Sequence, residues 1–243
     1  MKILILIVSL LLSFNVNANG PIEFVVTAAA GGSNDTVTRR LIEKLENNSS
    51  LKFVSLNKPG ASHHIGYNYT FNNNKPMLIV STPEITKHEV YSTLDDVYTL
   101  GYFSNTLFVS EKSGIRNFKQ FVDLSKTREI NFGHGGVGTY SYQAMQIVCE
   151  KTLKCLEVAY KGGAQGILGI MSGEIDTYAI TTYGSKHLFE NNKLVPIYNV
   201  DFLKDKSWVK LFAKNISQKN KEIILNILQS QDPKFYTDMG FEK

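Results

Sequence analysis

Two glycine-rich loops are the stretches of this chain that are best suited to bind a small molecule. The first covers residues 28–35 and the second covers residues 131–139. Each follows a strand-like run and precedes a helix-like run, so free backbone amides and the positive end of a helix dipole meet there. Glycine permits the positive φ angles and the close approach of a ligand that such a turn needs. We therefore predict that the two loops face one negatively charged ligand across a cleft.

Side chains in and near the loops complete the predicted binding site. His134 either donates to a bound carboxylate or faces solvent, and Ser33 with Asp35 is typical of helix capping. Tyr160 is expected to line the cleft with its ring. Asp176 lies in a predicted buried strand and needs partners, which are either backbone amides or an amine of the ligand. The full predicted set is Ala30, Gly31, Gly32, Ser33, Asn34, Asp35, Thr82, Gly133, His134, Gly135, Gly136, Val137, Gly138, Thr139, Tyr160 and Asp176.

The second loop also fits the dinucleotide-binding pattern G-x-G-x-x-G, with Glu157 about 20 residues further on. We disfavour this interpretation because the loop lies in the middle of the chain, a second loop of the same type is present, and the chain is predicted to be exported. A tight turn that needs glycine and binds nothing is a further alternative.

Signatures of catalysis are sparse. The nucleophile motif G-x-S-x-G is absent, and the adjacent His63 and His64 do not have the spacing of a zinc pair. We therefore expect a protein that is not an enzyme and has no cofactor and no metal site. An exported hydrolase that uses Ser33 or His134 is the alternative, and a ligand-sensing protein is another.

Residues 1–18 have the pattern of a secretory signal peptide. Lys2 precedes an apolar run, and the small residues before Ala18 form a cleavage site. The apolar run is shorter than the roughly 20 residues that span a bilayer. We predict cleavage after Ala18 and a mature chain in the periplasm.

The net charge and the cysteines further restrict the class of protein that the sequence allows. The formal net charge is +4 without a basic block, so nucleic-acid binding is not expected. Cys149 and Cys155 are the two cysteines of the chain. In an exported chain they are expected to form a disulfide between the end of one helix and the start of the next strand.

Alternating strand and helix patterns predict an α/β fold with mostly parallel sheets, in which ligands bind beyond the carboxyl ends of strands. Helices are predicted at 36–45, after the N-cap Asn117, at 140–151, before Gly173 and at 219–229. The predicted strands are 22–27, 52–56, 77–81, 107–110, 129–132, 156–160, 175–180 and 195–200.

The element order suggests two lobes joined by a hinge. We place the crossovers between the lobes near Ser110 and near Tyr198 and Asn199. Residues 19–109 and 199–243 then form lobe I, and residues 110–198 form lobe II.

Four segments resemble the periplasmic substrate-binding proteins of tripartite tricarboxylate transporters, the Bug family. They are the first loop with Arg39, the run 57–61 ending in Ile65 and Gly66, the second loop, and the runs 158–162 and 172–176. Trp208, Phe212, Ala213 and the closing run 239–242 extend the likeness over nearly the whole mature chain.

The resemblance implies a type II-like binding protein with an interlobe cleft, which closes on a small di- or tricarboxylate held mainly by backbone groups. It also implies delivery to the membrane subunits of a transporter, and we expect a monomer. Ser62, His63 and His64 replace residues that are usually glycine-rich, and Ala159 replaces a proline. The segment between Asp201 and Trp208 is shorter than the family norm.

Overall fold

The computed structural model describes residues 20–152, 154–185, 194–200 and 207–242. The predicted signal peptide and most of the shortened segment after Asp201 lie outside this range, so both remain predictions. In the part of the chain that is described, no helix is long and apolar enough to cross a membrane.

The first sheet has five strands in the order β2-β1-β3-β10-β4. β1 pairs in parallel with β2 and β3, whereas β10 pairs antiparallel with β3 and β4. The strands are β1 (Ile22–Val26), β2 (Phe53–Asn57), β3 (Met77–Ser81), β4 (Asp95–Phe103) and β10 (Ser207–Lys214).

The second sheet repeats this plan in the order β7-β6-β8-β5-β9. β6 is parallel to β7 and β8, and β5 is antiparallel to β8 and β9. Its strands are β5 (Asn105–Ser110), β6 (Ile130–His134), β7 (Cys155–Ala159), β8 (Thr177–Thr181) and β9 (Leu194–Val200).

Helices connect and cover the strands. The Asn117 side chain accepts a hydrogen bond from the Gln120 amide, which confirms it as the N-cap of α3. Gly173 ends α5 with φ 83°, as its position predicts. The helices are α1 (Ser33–Asn47), α2 (His64–Asn72), α3 (Phe118–Ser125), α4 (Tyr140–Thr152), α5 (Gly163–Ser172), α6 (Gln218–Gln229) and α7 (Pro233–Thr237).

The α/β fold with two sheets is confirmed, but the strand prediction was incomplete. All eight predicted strands exist, with ends that differ by up to two residues. β4, β10, α2 and the short helix α7 were missed. Four of the eight pairings between neighbouring strands are antiparallel, so the expectation of mostly parallel sheets holds only for the three strands β2-β1-β3 and for β7-β6-β8.

The chain passes from the first sheet to the second at Ser104, between β4 and β5. The predicted crossover at Ser110 is too late, because the whole of β5 pairs with β8 and β9 of the second sheet. The return crossover follows Val200, since Tyr198 and Asn199 still pair with β5. It therefore falls after the position predicted and outside the described residues.

Each sheet has its own apolar core. Phe24, Leu41 and Leu78 are fully buried between the first sheet and its helices. Phe121 and Phe132 are fully buried in the core of the second sheet. Tyr140 and Tyr183, which follow strands β6 and β8 of the second sheet, also pack with the first core and line a cavity, so the two halves meet there.

Cys149 and Cys155 form the predicted disulfide. The bond ties the last part of α4 to the first residue of β7. It thus fixes the helix that starts at the second glycine loop to the neighbouring edge strand.

The double variant Cys149→Ser/Cys155→Ser should lose about 2 kcal/mol of unfolding free energy, because a short closed loop no longer restricts the unfolded chain. Urea unfolding measured by circular dichroism tests this. A reducing agent should lower the stability of the wild-type protein and leave the double variant unchanged. Equal stabilities of the two oxidised proteins would contradict the prediction.

Candidate functional site

A cavity of about 260 Å³ lies between the two sheets. Its walls include residues directly beyond the carboxyl ends of strands in both lobes: Thr27 after β1, Thr82 after β3, Gly135 after β6 and Tyr160 after β7. This is the position at which open α/β sheets bind ligands. The two glycine loops therefore share one hollow, as predicted.

Three helices begin at this cavity. Ser33 and Asn34 belong to the start of α1, Tyr140 and Ser141 to the start of α4, and Gly163 to the start of α5. The first amides of a helix have no acceptor within that helix, and the dipole places partial positive charge there. The cavity is thus suited to an anion, and the contribution of α5 was not predicted.

The first loop is fixed by Asp35. Its carboxylate accepts hydrogen bonds from the Gly31 amide at 2.9 Å, from Asn57 at 2.9 Å and from Arg39 at 3.0 Å. The Gly32 amide donates to the Ala29 carbonyl. Asp35 is not among the residues that line the cavity and it holds the loop in shape, so its predicted contact with a ligand stays a prediction.

These contacts also set the charge of Asp35. Burial acts to raise the pKa of its carboxyl, but the hydrogen bonds from Arg39, the Gly31 amide and Asn57 outweigh burial and hold the pKa below its usual range. Asp35 is therefore a carboxylate at neutral pH.

The second loop is fixed in a similar way. The Gly135 amide donates to the Ser141 hydroxyl at 2.9 Å, and the Gly136 amide donates to Nδ1 of His134 at 3.0 Å. His134 is buried, and burial lowers its pKa. The ring therefore does not face solvent, which was one alternative for it. It does not line the cavity, and its predicted bond to a carboxylate stays a prediction.

Half of the predicted site residues line the cavity. They are Gly32, Ser33, Asn34, Thr82, Gly135, Gly136, Thr139 and Tyr160. The others lie in the same loops or strands but outside the lining: Ala30, Gly31, Asp35, Gly133, His134, Val137, Gly138 and Asp176.

Asp176 lies at the wrong end of its strand. It directly precedes β8, whereas the cavity lies beyond the carboxyl end of that strand. Its carboxylate binds Arg128 through two hydrogen bonds at 2.6 and 2.7 Å and accepts the Asn131 amide at 2.9 Å. Asp176 was predicted to bind either backbone amides or an amine of the ligand, and in the structure it binds the Asn131 amide.

Ser33 does not cap α1, which is a further correction. The N-cap is Gly32, and no side chain caps the helix. The Ser33 hydroxyl instead contacts Thr181 at 3.0 Å and Ser185 at 2.6 Å. Tyr183 similarly donates to Asn34 at 2.7 Å. These bonds join the start of α1 to the segment after β8, and so connect the two lobes beside the cavity.

Several lining residues were missed by sequence reasoning. They include the aromatic residues Tyr67, Tyr140, Tyr178 and Tyr183 and the acidic residue Glu84. Glu84 follows β3 by three residues, so the strand-end rule that selected Thr82 would also have selected it. His63 and Ser62, noted as departures from the family pattern, also line the cavity.

Asp35→Asn should lower the free energy of unfolding at pH 7 by about 2 kcal/mol, because buried hydrogen bonds to a charged group contribute roughly 1.5–3 kcal/mol. Since the folded pKa is lowered, this stabilisation is complete above about pH 5 and is lost as the pH falls through the folded pKa. Urea unfolding at neutral and acidic pH measures the difference. It should shrink in acid, and the exposed control Glu43→Gln should show no such dependence. An equal difference at both pH values would contradict the assignment.

Comparisons with solved structures agree with this architecture. The periplasmic binding protein BugD superposes with a TM-score of 0.76 at 19% identity, over 90% of this chain and 86% of that one. R. palustris Rpa4515, solved with adipate, gives a TM-score of 0.78 at 16% identity, over 90% and 87% of the chains. At these identities the likeness concerns the fold.

Sequence comparison gives the family. A UPF0065 protein of Bordetella pertussis is 22% identical over 182 residues, which cover 68% of this chain and 56% of that protein. The chain thus spans about half the length of this curated relative. The profile of the tripartite tricarboxylate transporter family receptor, TctC, matches residues 37–197. The match covers more than half of the chain and includes both lobes, and the chain therefore belongs to the TctC receptor family.

Proposed function

We propose that this protein captures a small organic acid outside the cytoplasm and delivers it to a tripartite tricarboxylate-type membrane transporter. The observation that carries the proposal is the meeting of helix starts from both lobes at one cavity. Such a site holds a carboxylate through backbone amides and helix dipoles. Membership of a receptor family and the adipate bound to the structural neighbour Rpa4515 support the same function.

The carboxylate is best placed between the starts of α1 and α5. A Cβ atom on Gly162, the N-cap of α5, would lie 3.9 Å from the Ala29 amide nitrogen, so the two loops come close across the cleft. A ligand in contact with both lobes stabilises the closed arrangement relative to an open one. Closure over the acid is the mechanism that we propose for capture.

The hydrolase alternative loses support from the geometry. A nucleophilic serine needs an adjacent general base. The Ser33 hydroxyl contacts Thr181 and Ser185, and His134 is buried outside the cavity lining. Neither residue is placed for catalysis, so binding without turnover is the better proposal.

A thermal-shift screen tests the binding function. Di- and tricarboxylates, amino acids and aromatic acids would each be added at millimolar concentration. A ligand present at 100 times its Kd should raise the Tm by about 5–10 °C, because it stabilises the folded state by about 2.7 kcal/mol. NMR should show the ligand unchanged after incubation. If no acid raises the Tm, or if the ligand is turned over, the proposal fails.

Gly136→Val should weaken binding of an acid found in the screen by at least about 10-fold. A Cβ atom at Gly136 would lie 2.7 Å from the Ser62 hydroxyl across the cleft, so the side chain obstructs closure.

Gly138→Val is the matched control, because Gly138 also has positive φ but its Cβ position is open and it does not line the cavity. Both variants should lose stability, but only Gly136→Val should lose affinity. Equal Kd values for the two variants, measured by titration calorimetry, would count against the assigned site.

A further inference from the structure

The ionisable side chains of the cavity wall form two groups of different charge. Apart from tyrosines, the ionisable side chains among its described lining residues are Lys161, Glu84 and His63. Lys161 lies just before the N-cap of α5, so it adds to the positive end formed by α1 and α5. Glu84 and His63 form the second group, with Oε2 of Glu84 3.6 Å from Nε2 of His63.

With the ring proton of His63 on Nδ1, both atoms of this close pair are hydrogen-bond acceptors. Nδ1 lies 3.0 Å from the Thr27 hydroxyl and 3.3 Å from the Thr27 carbonyl oxygen. The hydroxyl suits either tautomer, whereas the carbonyl can only accept, so we assign the proton to Nδ1. Burial lowers the pKa of His63, which keeps the ring neutral. Nε2 then offers a lone pair towards Glu84, and at 3.6 Å the two acceptors do not bond to each other.

The protein supplies few donors to Glu84. Oε1 is buried and has no hydrogen-bond partner in the described part of the chain. Oε2 lies 3.4 Å from the Thr82 hydroxyl, and the Tyr140 amide also faces the carboxyl group. Because Oε1 has no donor, the charge of the carboxyl depends on donors at Oε2, and a cationic donor at Oε2 would offset the cost of burying it.

The neighbouring tyrosine hydroxyls are committed elsewhere. Tyr67 bonds to Ser81 at 2.9 Å, and Tyr183 donates to Asn34 at 2.7 Å. The hydroxyl of Tyr140 bonds to Thr82 and Ser207. None of these bonds supplies a hydrogen-bond donor to the Glu84 carboxyl.

We propose that the acid bound in this cavity is an amino acid, with its carboxylate at the starts of α1 and α5 and its ammonium group between Glu84 and His63. The inference rests on the binding function proposed above and narrows its ligand class. An ammonium group has three N–H donors and a positive charge, and so satisfies Oε2 and Nε2 together. A dicarboxylate whose second carboxylate reached this pair would place a negative charge beside Glu84.

Ligand pairs that differ only in the amino group provide the test. Glutamate is compared with glutarate, aspartate with succinate, and 4-aminobutyrate with butyrate, each by titration calorimetry. At least one amino compound should bind about 10-fold or more tightly than its partner, because a charge-assisted hydrogen bond contributes roughly that much. If neither series binds, the proposed function itself fails. If acids bind but the amino group gives no advantage, only the present inference fails.

The variant Glu84→Gln tests whether the amino group is recognised by Glu84 or by another part of the protein. The variant keeps the side-chain shape and removes the charge, so the preference for the amino compound should disappear. Glu89→Gln is the control, because Glu89 is exposed, close in sequence and outside the cavity lining, and it should keep the preference. A preference that survives in Glu84→Gln would overturn the proposal.

The pH dependence of the wild-type protein gives a second test that needs no variant. Burial raises the pKa of Glu84 to about 7 against hydrogen bonds from Thr82 and Tyr140 and the field of Lys87. Among the groups that face Glu84, His63 stays neutral and Tyr67, Tyr140 and Tyr183 stay protonated in this range, because burial lowers the pKa of the first and raises the pKa of the others.

The amino compound should therefore bind about 10-fold more tightly at pH 8 than at pH 6, since Glu84 must be ionised to pair with it. Binding near neutral pH should release protons, which appears as a dependence of the calorimetric enthalpy on the buffer. If affinity rises towards acid and protons are taken up, a protonated Glu84 donates to a second carboxylate, and the amino-acid assignment is wrong.

Discussion

The direction of the chain in its βα units determines most of this structure. In a parallel arrangement every strand delivers its carboxyl end, and hence the start of the following helix, to the same edge of the sheet. β1, β6 and β7 lead in this way to α1, α4 and α5. When the two sheets face each other along these edges, the positive ends of helices from both lobes meet in one cavity. In the proposed function an anion bridges the lobes there without a cluster of arginine side chains, since no arginine lines the described cavity wall.

A site made of backbone amides requires that the loops hold their shape before the ligand arrives. In each loop a nearby side chain holds the backbone in place, since Asp35 accepts the Gly31 amide and Ser141 accepts the Gly135 amide. His134 holds the Gly136 amide from behind. The Gly31, Gly135 and Gly136 amides, which were predicted to bind the ligand, donate to these side chains. Because the bonds hold the loops in one conformation, less conformational entropy is lost when a ligand binds. The loop glycines therefore shape the site, and the helix starts supply most of its positive potential.

The sequence predicted those features that depend on local order. Strand–helix alternation identified eight strands, and the glycine loops identified the cleft, because both signals lie within a few residues of the elements they specify. The failures involve distant partners. β10 pairs with β3 and β4, which precede it by about a hundred residues, and Ser33 finds Thr181 and Ser185 across the cleft. Capping statistics cannot detect such partners. Asp176 does not line the cavity for a different reason, because its position before β8 places it at the edge of the sheet away from the cavity.

In this family the fold and the identity of the ligand depend on different parts of the sequence. The backbone geometry that binds one carboxylate follows from the βα units, and a structural neighbour at 16% identity has the same architecture. What lies beyond the first carboxylate depends on a few other side chains of the cavity wall. Here they include the carboxyl of Glu84, the imidazole of His63 and several tyrosines. In the proposed binding mode a second carboxylate beside Glu84 is repelled, whereas an ammonium group in the same place is attracted. A molecule that carries both charges is therefore the best electrostatic complement to this wall.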